Sequence, residues 1–213
     1  MKRFTSATIA FTCFVLSSPS FAAPADDAVK AYRDYVAAIR AGSVENVLKL
    51  VEQVPETSKA LLKAGVESAV AVEAVKTEMT KQMGPPEDLE DEGWNLGQLP
   101  DETLKHLGGE VVDEDTIKLK GKDPLSPDAR YDIGLMVRRD GKWLVPAATA
   151  LGLDPAAKFV EPAEDERKRL LKQADAVTTA GKAILKRLQK KEFKTPAEVQ
   201  EALTRAMVAE SGN

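Results

Sequence analysis

Hydrophobic positions recur at helical spacing over residues 26–40, where Val29, Tyr32, Val36 and Ile39 fall three and four apart. That period predicts an amphipathic helix, with Asp26 and Asp27 in its first turn and Arg40 near its end to complement the helix dipole. Gly42 supplies a stop. Ser43 is placed to cap a short second helix that buries Val44, Val47, Leu48 and Val51. After Pro55, a longer apolar face over Thr57–Met83 carries Leu61, Leu62, Val66, Ala69, Val72, Val75 and Met79. Residues 84–101 break every period. Three prolines, three glycines and a cluster of acids predict a long acidic loop.

The period then shortens to two. Glu110–Val112 and Thr116–Lys120 flank Asp113-Glu114-Asp115 as a short hairpin. Tyr131–Arg139 and Lys142–Val145 flank Asp140-Gly141, a pair that tolerates the positive φ angles of a type I′ turn. A two-residue turn pairs Arg139 with Lys142, Arg138 with Trp143 and Val137 with Leu144. Ile133, Leu135, Val137 and Leu144 then share one face, with Met136, Trp143 and Val145 on the other. Helical spacing returns over 164–190, where Leu170, Ala174, Val177, Gly181, Ile184 and Leu188 form a seam. Its small residues allow close approach, either by docking on the sheet or on the last helix, or by joining two copies. Thr195-Pro196-Ala197-Glu198 is a capping box that opens a final helix burying Val199, Leu203 and Met207. The expected fold class is α+β: N-terminal helices on an antiparallel sheet, followed by a C-terminal helical hairpin.

The first residues change the length to be folded. Met1-Lys2-Arg3, the apolar run Ala7–Leu16 and the small residues before Ala23 have the three parts of a secretory signal peptide, with cleavage expected after Ala22. The apolar run is too short to span a bilayer. Cleavage would remove Cys13, the one cysteine, together with Lys2 and Arg3, deepening the net charge from -4 to -6. The expected organisation is a signal peptide over 1–22, an α+β domain over 23–155 containing the acidic loop, and a helical extension over 156–213. The expected location is secreted or periplasmic. An acidic chain of this kind is a poor nucleic-acid binder, and the mature form has no transmembrane segment.

Residues 29–51 (VKAYRDYVAAIRAGSVENVLKLV) and the later YDIGLMVRRDGKWLVPA resemble the opening helix pair and closing strands of the nuclear transport factor 2-like, or SnoaL-like, superfamily. The resemblance covers about residues 26–150. It implies a curved antiparallel sheet wrapped on helices as a cone. Members of that superfamily include isomerases, dehydratases, polyketide cyclases and non-catalytic binding modules, so the fold does not choose a function. The Asp/His or Tyr/Asp pair typical of the enzymes has no match here residue by residue.

Chemistry-bearing residues are few. Asp88, Glu90, Glu92 and Gly93 match the start of a calcium loop, but Leu99 stands where a bidentate Glu is required. His106 is the one imidazole, with no Ser or Asp in a recognisable arrangement beside it. Phosphate cradles, nucleophile elbows and zinc motifs are absent from the sequence, so neither metal nor cofactor is expected. Of the aromatics, Tyr32 and Tyr131 are the candidates for the wall of a ligand pocket. The expected function is an exported, non-catalytic binding or protein-interaction module for a protein or small molecule outside the cytoplasm. The alternative is a small-molecule isomerase, cyclase or hydrolase with a cone-shaped pocket. A homodimer through the 164–190 helix or through the sheet is the assembly the pattern allows.

Overall fold

A computed structural model describes residues 22–84, 101–122, 130–153 and 159–211. The acidic loop, Trp94 and most of the expected signal peptide lie outside these residues. The described chain runs α1 (Ala22–Arg40), α2 (Val44–Lys49), a 3-10 turn (Glu56–Ser58), α3 (Lys59–Met83) and α4 (Asp101–Lys105). It continues through β1 (Gly108–Asp113), β2 (Thr116–Lys122), β3 (Arg130–Arg139), β4 (Lys142–Leu144), α5 (Ala147–Ala150), α6 (Glu164–Gln189) and α7 (Pro196–Ser211). The fold is α+β, with helices on both sides in sequence of a four-stranded antiparallel meander ordered β1-β2-β3-β4.

Helix α1 starts at Ala22, ahead of the expected Asp26, because Pro24 is tolerated in a first helical turn. Asp26 and Asp27 therefore lie beyond the first turn. Ser43 precedes α2 as expected, but its hydroxyl makes no capping bond. Val51 is not helical. It forms a parallel bridge to Val145, fixed by Glu52 N–H to Val145 O at 2.8 Å and Val145 N–H to Leu50 O at 2.9 Å. This bridge ties the edge beyond β4 to the segment after α2.

Both hairpins form where the alternation places them, although β1 is exposed from Glu110 to Asp113 and its register to β2 shifts between Val111 and Asp113. Asp113 Oδ1 accepts the Asp115 N–H at 2.9 Å, tightening the β1–β2 turn. In β3–β4 the register is Val137 with Leu144, Arg138 with Trp143 and Arg139 with Lys142. Asp140 (φ 49°) and Gly141 (φ 76°) carry the positive angles that the turn requires. One expected face assignment changes. Leu119 pairs with Gly134 and Lys120 with Asp132, so Ile133 is the extra residue of a β-bulge. The bulge turns Ile133 inward, away from Leu135, Val137 and Leu144, and sets its Cδ1 beside Gly121.

Two apolar clusters share α3. The first joins α1, α2 and the first half of α3 to the inner face of the sheet, where Ile117, Leu119, Met136 and Trp143 are buried. The second joins Val75 and Met79 of α3 to Ala180, Ile184 and Leu188 of α6 and to Val199 and Leu203 of α7. The seam of α6 thus docks on α3 and α7 rather than on the sheet. Gly181 makes this approach close: a Cβ there would lie 3.1 Å from Ala71 Cβ. The half of the seam proposed for pairing two copies, Gly181 to Leu188, is buried within the chain. At the start of α7, Glu198 N–H donates to Thr195 Oγ1 at 3.3 Å and the Glu198 carboxylate accepts Lys194 N–H at 2.8 Å.

Candidate functional site

The two residues nominated from sequence lie near each other, where α1, α4 and β3 adjoin. Tyr32 lies on the sheet-facing stripe of α1 and is 5% exposed. Its ring centroid is 5.9 Å from that of Tyr35, one turn on. Tyr131, 38% exposed, enters from the start of β3, and its hydroxyl is 3.2 Å from Thr103 Oγ1 of α4. Short α4 is held here by Arg33 of α1, whose Nε donates to Leu104 O at 3.0 Å and whose second guanidinium nitrogen donates to Lys105 O at 3.3 Å. A cation on the last carbonyls satisfies groups that a one-turn helix leaves open.

The electrostatics keep these phenols neutral. Burial, with a smaller contribution from Tyr131, pushes the Tyr32 phenol up to about 12. Burial, then Tyr32, raises Tyr35 as well. Neither can serve as a phenolate base at ordinary pH. The junction is also tightly filled. A Cβ on Gly121 would lie 2.9 Å from Ile133 Cδ1, Thr103 Cγ2 and Tyr131 Cζ. Tyr131 therefore belongs to a packed contact with Thr103, Gly121 and Ile133 and lies at its exposed rim.

A second polar cluster joins α1 to α3. Arg40 Nε lies 3.7 Å from Glu73 Oε1, and Glu73 is 6% exposed. Burial holds the Lys76 ammonium below its usual range, with Glu73 opposing that shift and Arg40 adding to it. Glu73 sits between Val72 and Val75, where the two apolar clusters adjoin. Sequence reading missed it because an acid inside an apolar run is indistinguishable from one on a solvated face until α1 is placed.

The third feature is on the outer helical layer. Helix α6 has 26 residues and α7 has 16, so α7 ends part-way along α6. Grooves of about 540 and 400 Å³ lie where it ends. The larger has Ala176, Val177, Met207 and Val208 in its lining, with Arg169 and Lys172 among its charged groups. Arg169 is held by Glu166 through bonds of 2.8 and 2.6 Å, which keep the Glu166 carboxyl below its usual range. Lys168 pairs with Glu164 at 2.6 Å.

His106 stands at the exposed turn after α4, its N–H donating to Thr103 O at 3.2 Å. The calcium-like segment from Asp88 lies outside the described residues. Among the described residues, no group of three His, Cys, Asp or Glu side chains is placed to hold a metal. No helix among them is long and apolar enough to cross a membrane. Comparison with protein-family models, with curated proteins and with solved structures finds no match.

Proposed function

We propose that this chain is an exported, non-catalytic binding or protein-interaction module, folded on the plan of the nuclear transport factor 2-like superfamily and extended by a C-terminal helical layer. The observation that carries this reading is the packing between sheet and α1. Ile117, Leu119, Met136, Trp143 and Val145 fill the inner face of the sheet, and all are buried. An isomerase or cyclase of the SnoaL-like kind needs an enclosed space with converging polar groups at that place. Here the Tyr131 hydroxyl lies 3.2 Å from Thr103 Oγ1, the Tyr131 ring closes on Gly121, and Tyr32 is buried. The open concave surfaces lie instead on α6 and α7, where a protein surface or a flexible ligand can dock. The basic, apolar and small-residue order of residues 1–22 supports export.

The test is expression of the full chain in a Gram-negative host, followed by fractionation and intact-mass measurement. The expected product is periplasmic or secreted and begins at Ala23. Retention of residues 1–22 on a cytoplasmic product overturns the export reading. Binding to an envelope component is expected to survive Tyr32→Phe and Tyr131→Phe. A turnover activity lost in those two variants would replace the binding reading with the enzymatic one.

A further inference from the structure

The outward stripe of α6 is complementary to itself. Asp165, Lys168, Lys172, Asp175, Thr179 and Lys182 follow one another at spacings of three, four, three, four and three, and all are exposed. That is the heptad spacing of a helix-pairing seam. In an antiparallel pair of identical helices, a position faces its counterpart across a two-fold axis. An axis between Gln173 and Ala174 sets Lys172 against Asp175 of a second copy, Asp165 against its Lys182, and Lys168 against its Thr179. Each contact then occurs twice, and no like charges face each other along the stripe. Moving the pairing by one heptad either way fails. One shift sets Asp165 against Asp175 and Lys168 against Lys172; the other sets Lys172 against Lys182. The charge order therefore admits one register and penalises its neighbours.

The surroundings favour the same occupant. The stripe borders the 400 Å³ groove, whose wall includes Leu171, Ala176 and Glu210. Glu210 lines that groove together with Thr179, on the side that Lys168 of the second copy approaches. Among the described residues, neither Lys172 nor Asp175 has an ion-pair partner, although they stand three apart on one face, whereas Lys168 and Arg169 are each paired to a Glu.

We propose that α6 is a homodimerisation surface, pairing antiparallel with α6 of a second copy through this stripe. The proposal is independent of any outside partner and of export. From Asp165 to Lys182 the stripe spans nearly five turns, about 26 Å at ~1.5 Å per residue. That places the contact at the small end of specific interfaces, below about 1,200 Å² in total. The dimer is accordingly weak and governed by charge, and it weakens as salt is added.

Sedimentation equilibrium of the full-length protein and three variants tests it, at low salt and at concentrations up to about 1 mM. Lys172→Asp and Asp175→Lys each set like charges in two symmetric places, and each is expected to weaken dimerisation at least about ten-fold. The double exchange K172D/D175K restores opposite charges in both places and is expected to return the dimer to within about three-fold of the original. Both positions are exposed, so thermal unfolding by circular dichroism should be unchanged in all three variants. A wild-type protein that stays monomeric throughout overturns the proposal. So does a dimer that ignores the single exchanges, or single-variant losses that the double exchange fails to recover.

Discussion

Replacing Gly181 by Leu should pry the helical layer from α3. A Cβ at this position would lie 3.1 Å from Ala71 Cβ, 3.3 Å from the Ala71 carbonyl carbon and 3.4 Å from its oxygen. Two of those neighbours are backbone, which cannot rotate away. Gly181→Ala gains up to about 1 kcal/mol of helix propensity, and the tight contact offsets most of it, so its stability should stay within about 1 kcal/mol of the parent. Leu has better propensity still, but its three further heavy atoms must displace α3. Overpacking costs about 1–3 kcal/mol, and separation of the helices also loosens Ile184 and Leu188, which are 2% and 0% exposed. The expected net loss is about 2–3 kcal/mol, or a fall of roughly 5–10 °C in melting temperature for a chain of this size. Urea unfolding is followed by circular dichroism and by fluorescence of Trp143, isolated with Trp94→Phe. Trp143 reports the sheet core, while circular dichroism reports the helices as a whole, α6 and α7 among them. Because α3 serves both clusters, the two transitions should shift together. Ala71→Gly in the Gly181→Leu background should recover part of the loss. A Gly181→Leu protein as stable as the parent would refute the close α3–α6 crossing.

Alkaline titration probes the tyrosine junction. With the Tyr32 phenol pushed up to about 12 and Tyr35 raised too, neither should contribute to the 295 nm absorbance rise near pH 10 while the chain is folded. In the unfolded chain both ionise near 10. Folding stability is therefore fully present below pH 10 and falls as the pH rises toward 12, by about 3 kcal/mol from Tyr32 alone. An absorbance step of all three tyrosines near pH 10 in a protein still folded by circular dichroism would contradict the burial. At the other end of the chain, Thr195→Ala removes the acceptor of the Glu198 N–H and should cost about 1 kcal/mol in urea unfolding. Thr195→Asp, which keeps an acceptor, should cost less; equal losses would show that the capping oxygen contributes nothing.

The register of β3 and β4, the central turns of the long helices and the start of α7 were legible because each depends on near neighbours. Asp140-Gly141 specifies a tight turn by backbone conformation alone, and the alternation on either side then sets every pair from Val137–Leu144 to Arg139–Lys142. Thr195 and Glu198 cap a helix within one turn of themselves. The packing of Tyr131 against Gly121, by contrast, goes with a bulge at Ile133. Periodicity could not show that bulge, since it costs one unpaired residue and leaves the composition of β3 unchanged. Three further outcomes rest on contacts between distant segments. Val51 left its helix for a bridge to Val145 because the edge beyond β4 needed a partner. The α6 seam chose α3, since Ala71 and Gly181 let those two backbones approach more closely than any sheet face would. Glu73 became buried only when α1 was laid across α3. Local conformational preference is written residue by residue along the chain, whereas the choice among several compatible apolar surfaces is a property of the folded whole.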